Sequence, residues 1–347
     1  MHMADALLSP VVGGTMWTAT AGTFAYCSSK IRHEIDDRKI PLMGVLGAFV
    51  FAAQMINFTI PGTGSSGHLG GGMLLAILLG PYAAFLVIAS VLTVQALFFG
   101  DGGLLALGCN IFNLGFFPCF IAYPFIYRAI VKNTLNRVRL NVGIILAAMI
   151  SLQLGALGVV LETTLSGITE LPFSSFILVM QPIHFAIGLV EGFVTVGVTS
   201  FILKARPEIL ESAAAAKPIG YVPMRKIFVS LVIITAITGG IFSWFASQHP
   251  DGLEWSMSQV AGTEELESPA HGIHVFLGHV QRMTAFLPDY GFKESEESSH
   301  SINETNLPEA ESLVSIDAGT TVAGLVGGII TLTLIALIGV ALKKRTT

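Results

Sequence analysis

The first two residues, Met1 and His2, hold three nitrogen atoms within a few covalent bonds of one another: the α-amine of Met1, and the amide nitrogen and imidazole Nδ1 of His2. Bound to one cation, these atoms close a five-membered and a six-membered chelate ring. Removing a backbone amide proton is costly, and planar nitrogen ligation of this kind is typical of Ni(II) or Cu(II). We therefore expect a metal site at a free, unprocessed amino terminus, with one position open for a fourth donor.

His68 is the candidate for that fourth donor. It follows the glycine- and serine-rich stretch 61–67, in which glycine permits close approach of the backbone. A purely structural interpretation competes with this one: a frayed terminal histidine, and a histidine at a helix start that ordinary hydrogen bonds satisfy. Spacing alone leaves both interpretations open.

The composition indicates that these residues are carried by a membrane protein. Of the 347 residues, 52% are hydrophobic and only 12% are charged, against about a quarter charged in soluble domains. Apolar runs of at least roughly 18 residues, the length that crosses a bilayer, recur along the chain. The predicted fold is therefore an all-α polytopic membrane helical bundle of eight or nine transmembrane helices.

The positive charges predict how this bundle lies in the membrane. Of the 18 Lys and Arg residues, 16 fall in five short clusters, at 30–39, 128–139, 204–206, 217–226 and 343–345. Short loops rich in Lys and Arg stay in the cytoplasm. The amino terminus and His68 are then outside and the carboxyl terminus is cytoplasmic. The predicted spans are 6–28, 41–58, a short helix after His68 paired with one from about 81, then 106–127, 141–161, 177–203, 226–246 and 318–342.

Two modules are predicted, which we call the capture module (1–215) and the accessory module (216–347). The boundary falls in a cytoplasmic stretch with a run of alanines and two prolines. The accessory module is expected to consist of two helices that flank a polar external loop, 248–317, with 13 acidic residues. The three cysteines lack CxxC spacing and are interpreted as small buried hydrophobes.

Several motifs of the capture module resemble one known family. They are Met1-His2-Met3 with Leu8-Ser9-Pro10, the segment 64–71 around His68, the segment 95–103 that includes Asp101, and the segment 107–113 with its two asparagines. Together they resemble the substrate-capture (S) components of energy-coupling-factor cobalt and nickel transporters, the CbiM/NikM family, over about residues 1–205. The resemblance implies that Met1, His2 and His68 bind the metal.

The resemblance also implies a partner arrangement. Pro250-Asp251-Gly252-Leu253 is similar to the nickel-type (PDGL) accessory two-helix subunit of these transporters, here fused to the capture part. Such transporters work with a transmembrane coupling (T) subunit and ABC-type ATPase subunits in a prokaryotic cell membrane. No GxxxxGK[ST] pattern occurs in this chain, so ATP hydrolysis is assigned to those partners and the chain is not expected to be an enzyme.

Ionisable groups inside predicted spans are functional candidates because burying them in lipid is costly. His184 and Glu191 are seven residues apart and share one helix face. They are interpreted either as a polar contact between helices or as groups in metal passage or coupling, paired directly or through water. Asn110 and Asn113 are expected to orient His68 or cap the metal site without binding the metal, or else to join helices. Asp101 indicates a tight external turn.

The function that the sequence favours is the membrane-embedded binding component of an ATP-driven importer. Both Ni²⁺ and Co²⁺ suit its nitrogen ligands, so the transported substrate is expected to be one of these ions, and no cofactor is predicted. The alternative is a proton-coupled secondary transporter of divalent transition metals that uses Glu191 and His184. A metalloenzyme is disfavoured because no HExxH pair occurs, and the topology accounts for the basic residues without nucleic-acid binding.

Overall fold

A computed structural model describes residues 2–132, 136–292 and 318–343. Within these ranges the chain is predominantly helical, and the one sheet is an antiparallel hairpin of strands β1 (Phe58–Ile60) and β2 (Ser65–Gly67). Thirteen α-helices occur in the described residues: α1 Pro10–Ile31, α2 Lys39–Gln54, α3 Gly72–Leu79, α4 Pro81–Val94, α5 Leu107–Ile111, α6 Arg128–Val131, α7 Arg137–Ser166, α8 Phe173–Ala205, α9 Pro207–Ala215, α10 Arg225–Gly240, α11 Gly252–Ala261, α12 Ile273–Thr284 and α13 Ala318–Leu342.

Short stretches of other helix types extend these elements. Wider π-helical turns at Gln95–Phe99 continue α4, and a π-helical stretch at Phe112–Tyr127 joins α5 to α6. Single 3₁₀ turns occur at Asp5–Leu7, Phe242–Phe245 and Pro288–Tyr290. The segment Leu107–Val131 is therefore one continuous helical rod of 25 residues.

Five helices among the described residues are long and apolar enough to cross a membrane: Pro81–Phe99, Leu107–Val131, Arg137–Ser166, Phe173–Ala205 and Ala318–Leu342. The helix Lys39–Gln54 is apolar but shorter. The helical membrane class is confirmed, whereas the count of eight or nine spans is not. Large apolar side chains such as Leu165, Leu178 and Phe193 point outward from α7 and α8, as expected for helices that face lipid.

One predicted span is shorter in the structure than the sequence suggested, and the helix after His68 is short, as predicted. The apolar run at 226–246 forms α10 only to Gly240, after which Ile241 and a 3₁₀ turn interrupt the helix. The helix after His68, α3, has eight residues, or about 12 Å at 1.5 Å per residue, too short to cross. Gly80, at φ +82°, ends α3 and Pro81 starts α4.

The accessory helices pack against each other and against the capture module at glycine residues. α10 and α13 cross where Gly239 faces Gly324; a Cβ built on Gly324 would lie 2.4 Å from the Gly239 carbonyl oxygen. α13 also packs on α2, where a Cβ on Gly47 would lie 2.2 Å from Ile335 Cδ1. Glycine thus allows the close helix contacts that stabilise bundles in lipid.

The predicted external loop contains regular structure in its described part. Helices α11 and α12 and the turn Pro288–Tyr290 lie between residues 248 and 292. They cover the end of the bundle that carries the amino terminus, through the contacts described below. Residues 293–317 of the predicted acidic loop lie outside the described residues.

Candidate metal site

The imidazoles of His2 and His68 stack against each other, with ring centroids 4.8 Å apart and ring planes 25° apart. Both side chains are buried: 6% of the His2 side chain and 8% of the His68 side chain are exposed. The structure therefore brings together two of the three predicted ligands. The third, Met1, lies outside the described residues.

Asn110 holds the amino-terminal segment in place. Its Oδ1 accepts a hydrogen bond from Met3 N (2.8 Å), and its Nδ2 donates one to the Met3 carbonyl (3.1 Å). Gly103 N donates to the same carbonyl at 2.9 Å. Asn110 was predicted to orient His68, to cap the metal site or to join helices. In the structure it does not contact His68 but fixes the backbone directly after His2.

The His68 segment is held by Glu191. After the β1–β2 hairpin the chain passes through Gly70 and Gly71, whose amides donate to Glu191 Oε2 (2.8 Å) and Oε1 (3.1 Å). Gln54 Nε2 donates to the Gly70 carbonyl at 2.8 Å. Only glycine fits Gly71, because its φ is +75° and a Cβ would lie 2.5 Å from Val50. A carboxylate in α8 thus anchors the loop that carries His68.

His184 and Glu191 do not bond to each other directly. His184 Nδ1 donates to the Met180 carbonyl one turn earlier (2.8 Å), whereas the Glu191 carboxylate is engaged by the two glycine amides. Asn113 does not orient His68 either, since its Nδ2 donates to Glu162 (2.8 Å). Glu162, a buried carboxylate within α7, was not singled out from the sequence; its position in an apolar span was the available signal.

Asp101 takes a larger part in the site than the predicted turn. Its Oδ1 accepts a hydrogen bond from His2 Nδ1 (2.7 Å), and its Oδ2 accepts one from the Tyr290 hydroxyl (2.5 Å). Gly100 and Gly102, both with positive φ, form the predicted turn around it. Burial alone would raise the pKa of Asp101, but the charge and hydrogen bond of His2, with the Tyr290 hydrogen bond, lower it to about 2.

The ring orientation of His2 differs from the one that the chelate requires. Nδ1 is bonded to Asp101, while Nε2 is buried and has no hydrogen-bond partner among the described residues. The six-membered ring predicted from the sequence therefore forms only after the imidazole turns Nδ1 away from Asp101. His68 donates its Nδ1–H to the Leu69 carbonyl (3.1 Å), which directs Nε2 toward the site, and burial lowers the pKa of this imidazole.

The accessory module closes the site from the outside. His274 in α12 is buried, and its Nε2 donates to the Leu8 carbonyl at 2.8 Å. Gln281 Nε2 donates to the carbonyls of Ala96 (2.9 Å) and Gly102 (2.7 Å). One face of α12 therefore packs on the amino-terminal segment and buries His274 there.

A cavity of about 700 Å³ lies between the two modules and reaches both histidines. Carboxylates of both modules line it, among them Asp101, Asp251, Glu264 and Asp289, together with Arg282. Within the described residues, no group of three or more His, Cys, Asp or Glu side chains is arranged to hold a metal ion. The further donors predicted from the sequence are main-chain nitrogens of the amino terminus.

Comparisons with known proteins find relatives for both parts of the chain. Residues 2–209 match the family model of CbiM, the cobalt uptake substrate-specific transmembrane region, and residues 225–344 match the PDGLE domain. A fused nickel transport protein, NikMN, of Archaeoglobus fulgidus is 31% identical over 334 residues, which cover 96% of each chain. The cobalt transport protein CbiM of Sorangium cellulosum is 31% identical over 218 residues, covering 61% of this chain and 95% of that one.

Solved structures give the same result for the first module. The crystal structure of a transition metal transporter is 30% identical, with a TM-score of 0.52, and the match covers 59% of this chain and 93% of that chain. A truncated transition metal transporter matches with the same TM-score and identity.

Proposed function

Because the chain belongs to the CbiM family of cobalt-uptake transmembrane proteins and carries a PDGLE domain after it, we propose that it is the metal-binding component of an ATP-driven importer of Ni²⁺ or Co²⁺. That it is a cobalt or nickel transport membrane protein follows from the family; the energy source and the ligands are the proposal. We also propose 215/216 as the boundary between the modules, with the amino terminus outside and the carboxyl terminus cytoplasmic.

The contact between His2 and His68 carries the proposal. Two histidines from distant parts of the chain are stacked, buried, and each held through Nδ1 by an oxygen acceptor, Asp101 for His2 and the Leu69 carbonyl for His68. Histidines that bind metals commonly donate their other ring nitrogen to a carboxylate or a backbone carbonyl, and His68 does so with Nδ1, which leaves its Nε2 for a metal. For His2, the bond to Asp101 holds the ring beside His68 in the metal-free form.

The proposed loaded form uses four nitrogens. The Met1 amine, the His2 amide nitrogen and the His2 imidazole form the chelate, and His68 Nε2 completes it. Turning the His2 ring away from Asp101 brings Nδ1 into this set, and the movement exchanges a charge-assisted hydrogen bond for a metal bond. Imidazole and amide nitrogens suit Ni²⁺ better than harder cations such as Mg²⁺ or Ca²⁺.

The energy for transport is proposed to come from partners. The chain has no Walker A motif, and its family resemblance implies a transmembrane coupling subunit and ABC-type ATPases. ATP-driven movement of these partners would then carry the loaded site toward the cytoplasm.

Metal uptake tests the proposal directly. Cells that express the whole transporter with H2A, H68A or one extra residue before Met1 are expected to lose Ni²⁺ or Co²⁺ accumulation. H33A, on the predicted cytoplasmic side, serves as the control and is expected to transport normally. Uptake that persists in H2A and in the extended chain would exclude the amino-terminal chelate. Uptake that survives loss of the ATPase partners but collapses with the proton gradient would favour the secondary transporter.

A further inference from the structure

The segment Pro250–Glu254 docks the accessory module onto the hairpin that leads to His68. Ser66 N donates to the Pro250 carbonyl at 2.8 Å, and Ser66 Oγ donates to the His249 carbonyl, also at 2.8 Å. Ser247 N donates to the Asn57 carbonyl at 2.7 Å. Three hydrogen bonds thus fix the accessory chain alongside β2.

The same segment forms a capping box at the start of α11. Asp251 Oδ1 accepts from Leu253 N (2.7 Å) and Glu254 N (3.0 Å), and Glu254 Oε2 accepts from Asp251 N (2.8 Å). This reciprocal arrangement satisfies the open amides of a helix end. It also fixes the rotation of the Asp251 carboxylate.

Gly252 determines how closely α11 approaches α8. A Cβ on Gly252 would lie 3.0 Å from Ile187 Cδ1 and 3.1 Å from His184 Cε1, so a side chain there would push the helix outward. The absence of a side chain keeps the start of α11 against α8, beside the segment that carries His68.

The hydrogen bonds to the hairpin, the capping box and the close approach of α11 to α8 together place one oxygen of Asp251 at the proposed metal site. Asp251 Oδ2 lies 3.7 Å from His68 Nε2, with 14% of the Asp251 side chain exposed. Asp251 also lines the cavity of about 700 Å³ that reaches both histidines. A carboxylate on the wall of a cavity attracts cations that enter it, and this one lies directly beside His68.

We propose that Asp251 is the accessory module's contact with the transported cation: its carboxylate attracts the arriving hydrated divalent ion and holds it beside His68 Nε2. The proposal rests on the proposed function, because it takes His68 as a ligand. A carboxylate oxygen suits a cation that still carries water, and imidazole suits Ni²⁺ and Co²⁺ once water has left. The accessory module then acts on the rate at which the site is loaded.

Two variants separate this role from helix capping. D251N removes the carboxylate but keeps a good N-cap, since asparagine and aspartate cap helices equally well. E254Q removes the same charge three residues away and keeps the capping box, which accepts glutamine. We would measure Ni²⁺ association with the purified full-length protein in detergent by stopped flow, at low and high ionic strength.

D251N is expected to lower the association rate constant by about tenfold at low salt, the lower end of the electrostatic range. Its rate is also expected to depend less on salt than that of the unmodified protein, whereas E254Q keeps the unmodified rate and salt dependence. Equal association rates in D251N and the unmodified protein would overturn the proposal. Equal slowing by D251N and E254Q would also overturn it, because it would indicate only the overall electrostatic field of the cavity.

Two further measurements keep the result interpretable. D251S also keeps an N-cap without the carboxylate and replaces D251N if that variant folds poorly, which thermal denaturation shows. H68A tests the proposed function separately. If H68A binds Ni²⁺ normally, His68 is not a metal ligand, whereas the D251N result bears only on Asp251.

Discussion

Tyr290 of the accessory module donates a hydrogen bond to Asp101 of the capture module, with 2.5 Å between the hydroxyl oxygen and Oδ2. The tyrosine ring also stacks on Phe99, with centroids 5.1 Å apart. Because Asp101 holds His2 through its other oxygen, this contact links the accessory module to a proposed metal ligand through a single carboxylate.

Removing the Tyr290 hydroxyl is expected to loosen the accessory cover. Y290F keeps the ring stacking but loses a hydrogen bond to a charged group, worth about 1.5–3 kcal/mol. We expect amide hydrogens of α12 to exchange about tenfold faster or more, measured by hydrogen–deuterium exchange. Y221F is the matched control, since Tyr221 is 99% exposed; unchanged exchange in Y290F would contradict the linkage.

Glu191 is expected to control metal affinity although it does not touch the metal in the proposed site. In E191Q the side-chain amide can accept from only one of the Gly70 and Gly71 amides, so the His68 segment loses an anchor. Mutation of a group that orients a metal ligand typically lowers metal affinity 10–100-fold. We therefore expect Ni²⁺ binding to weaken by about tenfold or more. Calorimetric titration measures this.

The control for E191Q is E162Q, which changes another buried carboxylate in a long apolar helix. Glu162 bonds to Asn113 and not to the His68 segment, so Ni²⁺ affinity should be retained. Equal weakening by both substitutions would show that the effect comes from general disruption of the bundle.

Asn110 and Asn113 are three residues apart but should behave differently. N110A removes both hydrogen bonds to Met3 and releases the segment that presents His2, so we expect Ni²⁺ affinity to fall by about tenfold or more, as for other groups that orient ligands. N113A lacks this connection and should bind Ni²⁺ normally. The reverse pattern would contradict the role of Asn110 as the clamp of the amino-terminal segment.

Acid is expected to weaken the contact between His2 and Asp101. The pKa of Asp101 is lowered from 3.8 to about 2 in the folded protein, so the ionised carboxylate stabilises the fold above about pH 4. That contribution is lost as the pH falls from about 4 to about 2. D101N, which does not titrate, should show a smaller decrease in melting temperature over this range, measured by thermal denaturation in detergent; an equal decrease would contradict the prediction.

The sequence predicted the class of fold and the proximity of His2 to His68 through simple rules. Apolar length indicates membrane helices, and the distribution of Lys and Arg placed both histidines at one face. The count of eight or nine spans is not confirmed, and hydropathy does not show that α10 stops at Gly240. That end depends on local backbone geometry.

Residues that support the histidines were harder to predict. Asp101 was interpreted as part of a turn, and Tyr290 lies in a polar stretch with no visible periodic pattern. Their contact joins positions 189 apart, which helical spacing along the chain cannot reveal. Glu191 and Asn110 were candidates for the site, but their partners were not predicted, since a helix pattern shows which face a side chain occupies but not which distant amide it meets.

The hydrogen bonds around the histidine pair have a consequence for synthesis of the protein. They join positions 99, 107, 121, 183 and 189 apart in sequence, and long-range contacts of this kind form late in folding. A growing chain that has been made only as far as α8 has both histidines but neither Asp251 nor Tyr290. The complete pocket therefore forms only after Tyr290 has been synthesised, late in translation of the 347-residue chain.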